Sequence, residues 1–226
     1  IIRGSIPTNY RRGEKIMKLF INEFIKDYKK KTTWLYFLLS FGIILLNSYF
    51  MKRQFEDGID AVKILSGITV VSVALATVFS LIMLANNLSQ EYSKGTIKFL
   101  YTRPKSRSAI LTAKIVLAFI NYILFLVVGT VFDFLTKYYV FFDRKVGLNH
   151  LNDTIEEGYF GRTVAKQLII TNLADLAVFI FFVAMVVLVC VVFKTQILSL
   201  VLVMLSLLGT GLIQSLTIFA VSKFSW

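Results

Sequence analysis

Several runs of this chain, each about 18 residues or longer, carry almost no polar side chain. They lie at roughly Trp34–Met51, Ile64–Ala85, Ile110–Leu135, Leu168–Phe193 and Ile197–Ala220. An element in water needs one solvated face, and these runs offer none. Runs of this length and purity read as bilayer spans. In lipid every backbone N–H and C=O must be paired within the protein, which leaves a helix for each run. The fold class expected is therefore an all-α integral membrane protein, a single transmembrane domain with five legible spans. Among 226 residues, 57% are apolar, 21 are Phe and only 17% are charged. No low-complexity linker or internal repeat divides the chain.

The charges sort around these runs. The formal net charge of +12 would suggest nucleic acid in a soluble protein. Here the basic residues cluster between apolar segments, so membrane topology explains them and nucleic acid is not expected as a partner. Residues 1–33, 86–114 and the turn at Lys194 hold 16 of the 25 Lys and Arg residues. The positive-inside rule then predicts a cytoplasmic N-terminus and an extracellular loop over 136–165. Five spans would leave Trp226 outside. No cleavable signal pattern opens the chain, and Met17 is a candidate start that would make residues 1–16 an extension.

Residues 15–31 have Ile16, Leu19, Phe20, Phe24 and Tyr28 at helical spacing, with lysines mainly elsewhere. Such a helix is expected to lie in the membrane interface, its lysines toward anionic lipid head groups. Trp34 and Tyr36 follow at the water–lipid boundary. In the second span Ser72, Ala76 and Ser80 are small residues at helical spacing, a pattern that permits close helix packing.

Catalytic signatures are scarce. There is no P-loop sequence and no His-Glu-x-x-His, and the single Cys190 and single His150 argue against a zinc site. Asn152-Asp153-Thr154 fits a glycosylation acceptor, which matters only in a secreted eukaryotic context. Asp133 and Asp175 fall inside spans. Intramembrane carboxylates are functional candidates by default, here for a proton or substrate pathway. Two plainer readings stand beside that one: structural hydrogen bonding, and placement near the outer interface, where Asp133 would meet water and Asp175 would share a polar outer third with Thr171 and Asn172.

The segment 86–109 is more informative. It holds one acid, Glu91, among Lys94, Lys98, Arg103, Lys105 and Arg107, with Phe99, Leu100 and Tyr101 as an apolar centre. Ordinary positive-inside charge accounts for the bases. A docking helix, with apolar residues filling a partner's groove and charges around the rim, accounts for the whole pattern.

The run Glu91–Leu100 (EYSKGTIKFL), followed by Thr102-Arg103-Pro104 and Ser106-Arg107, resembles the signature of bacterial ABC-transporter permeases of the type-2 exporter class. The resemblance covers roughly residues 17–220. It implies an elbow helix over 15–31 and a cytoplasmic coupling helix over 87–101 seated on a separate P-loop ATPase subunit. Glu91, Lys94, Lys98, Phe99, Leu100 and Arg103 would make that contact. The chain itself would bind no cofactor; ATP and Mg would belong to the ATPase. Two permease chains, identical or different, would pair, with lipid around them. The family usually has six spans, so a sixth is expected beyond the five legible ones. Cargo in the class includes antibiotics, peptides, lipids and polysaccharide. Lys-, Ile- and Phe-rich usage suits a low-GC Gram-positive bacterium, which favours an amphipathic antimicrobial or cytolytic peptide. The competing expectations are an ion-coupled carrier using Asp133 or Asp175, and a membrane-embedded enzyme or non-catalytic scaffold.

Overall fold

The computed structural model describes residues 20–54, 61–93, 107–141, 147–154 and 163–193, with residues 198, 201, 204 and 205. A short helix α1 (20–28) turns at residues 29–30 into α2 (Lys31–Gln54). Next come α3 (Ala61–Ser66), α4 (Ile68–Ser93) and α5 (Arg107–Val140), then a 3-10 turn at Leu148–Asn152 and finally α6 (Val164–Phe193). The described residues form no sheet; their one β contact is an isolated antiparallel bridge between Thr154 and Thr163. Four segments are long and apolar enough to cross a membrane: Lys31–Gln54, Ala61–Gln90, Ile110–Val140 and Val164–Phe193. The chain is a multi-pass, all-α membrane protein. The expected fifth span over 197–220 lies almost wholly outside the described residues.

The hub is α4. The most apolar stretch of the span Ala61–Gln90, most of which is α4, is 67% buried, against 17% for that of α2, and the most extensive partner of α4 is the antiparallel α5. Lipid tails are as apolar as leucine, so close packing and polar contacts rather than water exclusion hold such helices together. Small residues make the approach possible. Ser72, Ala76 and Ser80 are all buried, as their spacing predicts. A Cβ built on Gly129 of α5 would stand 3.3 Å from the Ser72 Cβ. On α2 the buried positions are Thr33, Ser40, Ile44 and Ser48, while Leu38, Leu46 and Phe50 face outward. Small and polar residues inside with large apolar ones outside is the arrangement lipid favours.

Stacked rings align the other helices. Phe37 of α2 stacks on Phe125 of α5 at 4.2 Å, and Phe41 meets Phe132 at 4.4 Å, so α2 and α5 run parallel. Phe179 of α6 stacks on Tyr122 at 4.2 Å and meets Phe119 edge-on at 5.4 Å. At the end of the bundle away from α1, a second small core joins Ile64, Leu65, Ile68, Phe141 and Val164.

Three boundaries differ from the sequence expectation. The helix of the third span runs on to Val140, so residues 136–140, assigned to an extracellular loop, complete α5. The helix of the fourth span begins at Val164, four residues earlier than expected. The second span is interrupted at Gly67, which separates α3 from α4.

Candidate functional site

Two polar clusters and one polar stripe lie within the apolar bundle. The first cluster sits where α1 meets the C-terminal end of α4 and the N-terminal end of α5. Along one face of α1, Phe24 stacks on Tyr28 with ring centroids 4.5 Å apart and meets Phe20 at a tilt, 6.2 Å away. Asp27, 1% exposed, lies beside them. The Lys30 ammonium donates to Asp27 Oδ1 at 2.9 Å and to Asn87 Oδ1 at 2.8 Å. The Asn87 amide N–H donates in turn to Asp27 Oδ2. The Lys114 ammonium, on a side chain 1% exposed, donates to the Asn87 carbonyl at 2.6 Å and stands 3.7 Å from Glu23.

An amide serves at position 87 because it accepts and donates at once, receiving from one charged neighbour and giving to the other. Two acids and two bases balance the charge, so burial leaves no net charge uncompensated. Around this core, the Thr33 hydroxyl donates to the Asp27 carbonyl at 2.6 Å and the Trp34 indole N–H to the Tyr28 carbonyl at 3.2 Å. The Tyr28 hydroxyl donates to Asn121 Oδ1 at 3.0 Å. Burial, reinforced by the Asp27 carboxylate, pushes the Tyr28 phenol up to about 12, so it is a neutral donor at any physiological pH. The amphipathic helix expected from spacing is thus, over its described residues 20–28, anchored to α4 and α5 by charge as well as by apolar contact; residues 15–19 lie outside the described residues.

Glu91 follows one turn after Asn87, on the last turn of α4. Residues 87–93 of the expected coupling helix are continuous with the second span. Lys94, Lys98, Phe99, Leu100 and Arg103 lie outside the described residues.

The second cluster is at the opposite end. Asp133, 0% exposed, pairs with Lys137 at 3.1 Å, one turn further along α5. The Lys137 ammonium also donates to the Gly67 carbonyl at 3.1 Å. That contact places a cation at the C-terminal end of α3, where carbonyls lack helical partners. The break at Gly67 is therefore capped from a neighbouring helix. Asp133 does not sit in interfacial water as the plainer expectation had it: it is enclosed and ion-paired. Lys137, assigned to the extracellular loop, is enclosed with it.

Asp175, half-buried, lies on α6 one turn before Phe179, which stacks on Tyr122 near the middle of α5. Gln167, Thr171 and Asp175 follow one another at intervals of four residues toward that stack, with Asn172 beside them.

Sequence reading missed Glu23, Asp27, Asn87, Lys114 and Lys137. The available signal was the lysine embedded in the apolar run of the third span, together with the acid pair Glu23 and Asp27 on a basic amphipathic helix. Among the described residues no group of three or more His, Cys, Asp or Glu side chains is placed to hold a metal ion.

A bundle of long apolar helices, with an amphipathic helix bound to one end by buried charge, defines a polytopic membrane protein. The ABC-2 family transporter protein family matches residues 19–210, and the chain belongs to that family. It is a membrane transport protein. No curated protein and no solved structure gives a match.

Proposed function

We propose that this chain is the permease subunit of an ATP-driven exporter of the bacterial type-2 class, lying in the cytoplasmic membrane with its N-terminus in the cytoplasm. ATP and Mg bind to separate P-loop ATPase subunits, and two permease chains pair to form the path. Glu91, Lys94, Lys98, Phe99, Leu100 and Arg103 make the contact with the ATPase, and the cargo is an amphipathic peptide, antibiotic or lipid-like molecule.

The observation that carries this reading is the cluster around Asn87. It fastens α1 to the two helices that flank residues 94–106, the segment holding most of the proposed contact residues. A push on that segment would reach α4, α5 and α1 together, because buried, hydrogen-bonded charges resist separation. For an ion-coupled carrier, the pairing of Asp133 with Lys137 leaves Asp175 as the acid to carry that role among the described residues. The test is purification of the tagged chain from its native membrane. A stoichiometric P-loop ATPase is expected; a chain that transports without one contradicts the proposal.

A further inference from the structure

At 3.6 residues per turn, the described part of α1 presents three faces. Glu23 and Asp27, one turn apart, turn inward to Lys114, Lys30 and Asn87. Ile21 and Ile25, also one turn apart, are each 45% exposed and form an apolar face. Asn22, Lys26 and Lys29 are exposed on the face beyond it. Trp34, 65% exposed, donates its indole N–H to the Tyr28 carbonyl at 3.2 Å, so the ring is held at the corner between α1 and α2. Lys31, one turn before Trp34 on α2, is exposed as well.

The lysines of this corner divide into two groups. Lys30 is engaged inside, with Asp27 and Asn87, and Lys114 meets Glu23. Lys26 stands 3.9 Å from Glu23, an acid that Lys114 already approaches, and its side chain stays 54% exposed. Among the described residues no carboxylate stands within ion-pair distance of Lys29 or Lys31. With the two acids balanced by Lys30 and Lys114, the outward charges of Lys26, Lys29 and Lys31 remain unbalanced. An apolar strip beside a basic strip on one exposed helix fits neither water alone nor lipid tails alone. It fits the head-group layer, where the two meet, and a tryptophan ring is favoured at the same level.

We infer that Lys26, Lys29 and Lys31, together with the Trp34 indole, form a binding surface for the phosphate groups of anionic phospholipids. Ile21 and Ile25 lie against the acyl chains below those phosphates. All six side chains are exposed. The charge excess selects the lipid. A zwitterionic head group carries its own ammonium, whereas an anionic one gains roughly fivefold in binding from a lysine it meets. Because α1 is fastened to α4 and α5 through Asn87, lipid held here is held by the end of the bundle that flanks residues 94–106. The inference stands apart from the motor and the cargo proposed above, since lipid selection is read without either.

The test is quenching of Trp34 fluorescence by brominated lipid. The full chain carrying Trp226→Phe keeps Trp34 as its single tryptophan. It is placed in vesicles of equal parts phosphatidylglycerol and phosphatidylcholine, with bromine on the acyl chains of one lipid or of the other. Brominated phosphatidylglycerol is expected to quench as though that lipid were favoured roughly fivefold beside the indole. Lys26→Gln, Lys29→Gln and Lys31→Gln together should bring the two lipids level. Salt at about 1 M should do the same without any substitution of the lysines, since exposed charges are screened at that strength. Lys52→Gln with Arg53→Gln, exposed at the far end of α2 and about 27 Å from Trp34 along the helix, should leave the preference intact. Equal quenching by the two lipids while the three lysines are present at low salt overturns the proposal, and so does a preference that survives the triple variant or the salt. Loss of the preference in the Lys52 and Arg53 variant overturns it as well. Quenching by neither lipid has the same consequence, because protein and not lipid then covers Trp34.

Discussion

Lys114 of α5 donates to the backbone carbonyl of Asn87 on α4 at 2.6 Å, and through Asn87 it joins the network that binds α1. A lysine embedded in the third span thus holds the start of that span against the end of the second. Replacing it with an apolar residue of similar length removes the cation and leaves the Glu23 carboxylate and the Asn87 carbonyl without it. Lys114→Met is expected to lower stability by about 2–4 kcal/mol, read as an earlier thermal transition in detergent. The double variant Lys114→Met, Glu23→Gln should recover part of the loss, because it no longer leaves an uncompensated acid. Equal stability of the single variant and the unsubstituted chain contradicts the assignment.

The Asp133–Lys137 pair makes a sharper version of the same expectation, since both side chains are almost wholly enclosed. Lys137→Met strands a buried carboxylate and uncaps Gly67, and about 3–5 kcal/mol of destabilisation is expected. Asp133→Leu with Lys137→Met removes both charges and should restore most of that stability. A double variant as unstable as the single one would show that the cap on Gly67, not the ion pair, is what matters. Chemical unfolding in mixed micelles measures each difference.

The close crossing of α4 and α5 at Ser72 and Gly129 sets a third expectation. A methyl group at 129 meets the Ser72 Cβ at 3.3 Å, a contact that a small shift relieves. Gly129→Ala should therefore cost little. Gly129→Leu forces the helices apart and should cost about 1–3 kcal/mol. If both variants melt together, the crossing is looser than the distances state.

Much of the fold was legible because bilayer spans need only length and apolarity. The run Leu168–Phe193 required no periodicity to be read as a helix. The small-residue face of the second span was legible for a similar reason, since only close packing explains Ser72, Ala76 and Ser80 on one side. The interruption at Gly67 was not, because a glycine within a helical pattern is usually tolerated, and what marks this one is a lysine 70 residues away. Lys114 and Lys137 were counted as interfacial charge. A lysine at the edge of an apolar run can reach out to head groups or turn inward to a carboxylate, and the choice depends on a partner from another part of the chain. Glu23 and Asn87 decide it for Lys114, Asp133 and Gly67 for Lys137. The neighbourhood of Asp175 was not legible either, because the stacking of Phe179 on Tyr122 one turn further on is a contact between helices distant in the chain.

The central claim, that this transport subunit works through a separate ATPase docked at the segment between α4 and α5, is tested most directly by binding of the purified ATPase to the chain in nanodiscs. Phe99 is assigned as the apolar anchor of that contact, and loss of such an anchor typically costs about 2 kcal/mol, or roughly thirtyfold in affinity. Phe99→Ala is therefore expected to weaken binding roughly thirtyfold, while Leu148→Ala, exposed at the opposite end of the bundle, leaves it unchanged. Unaltered affinity in Phe99→Ala, or a loss at Leu148→Ala instead, would contradict the account.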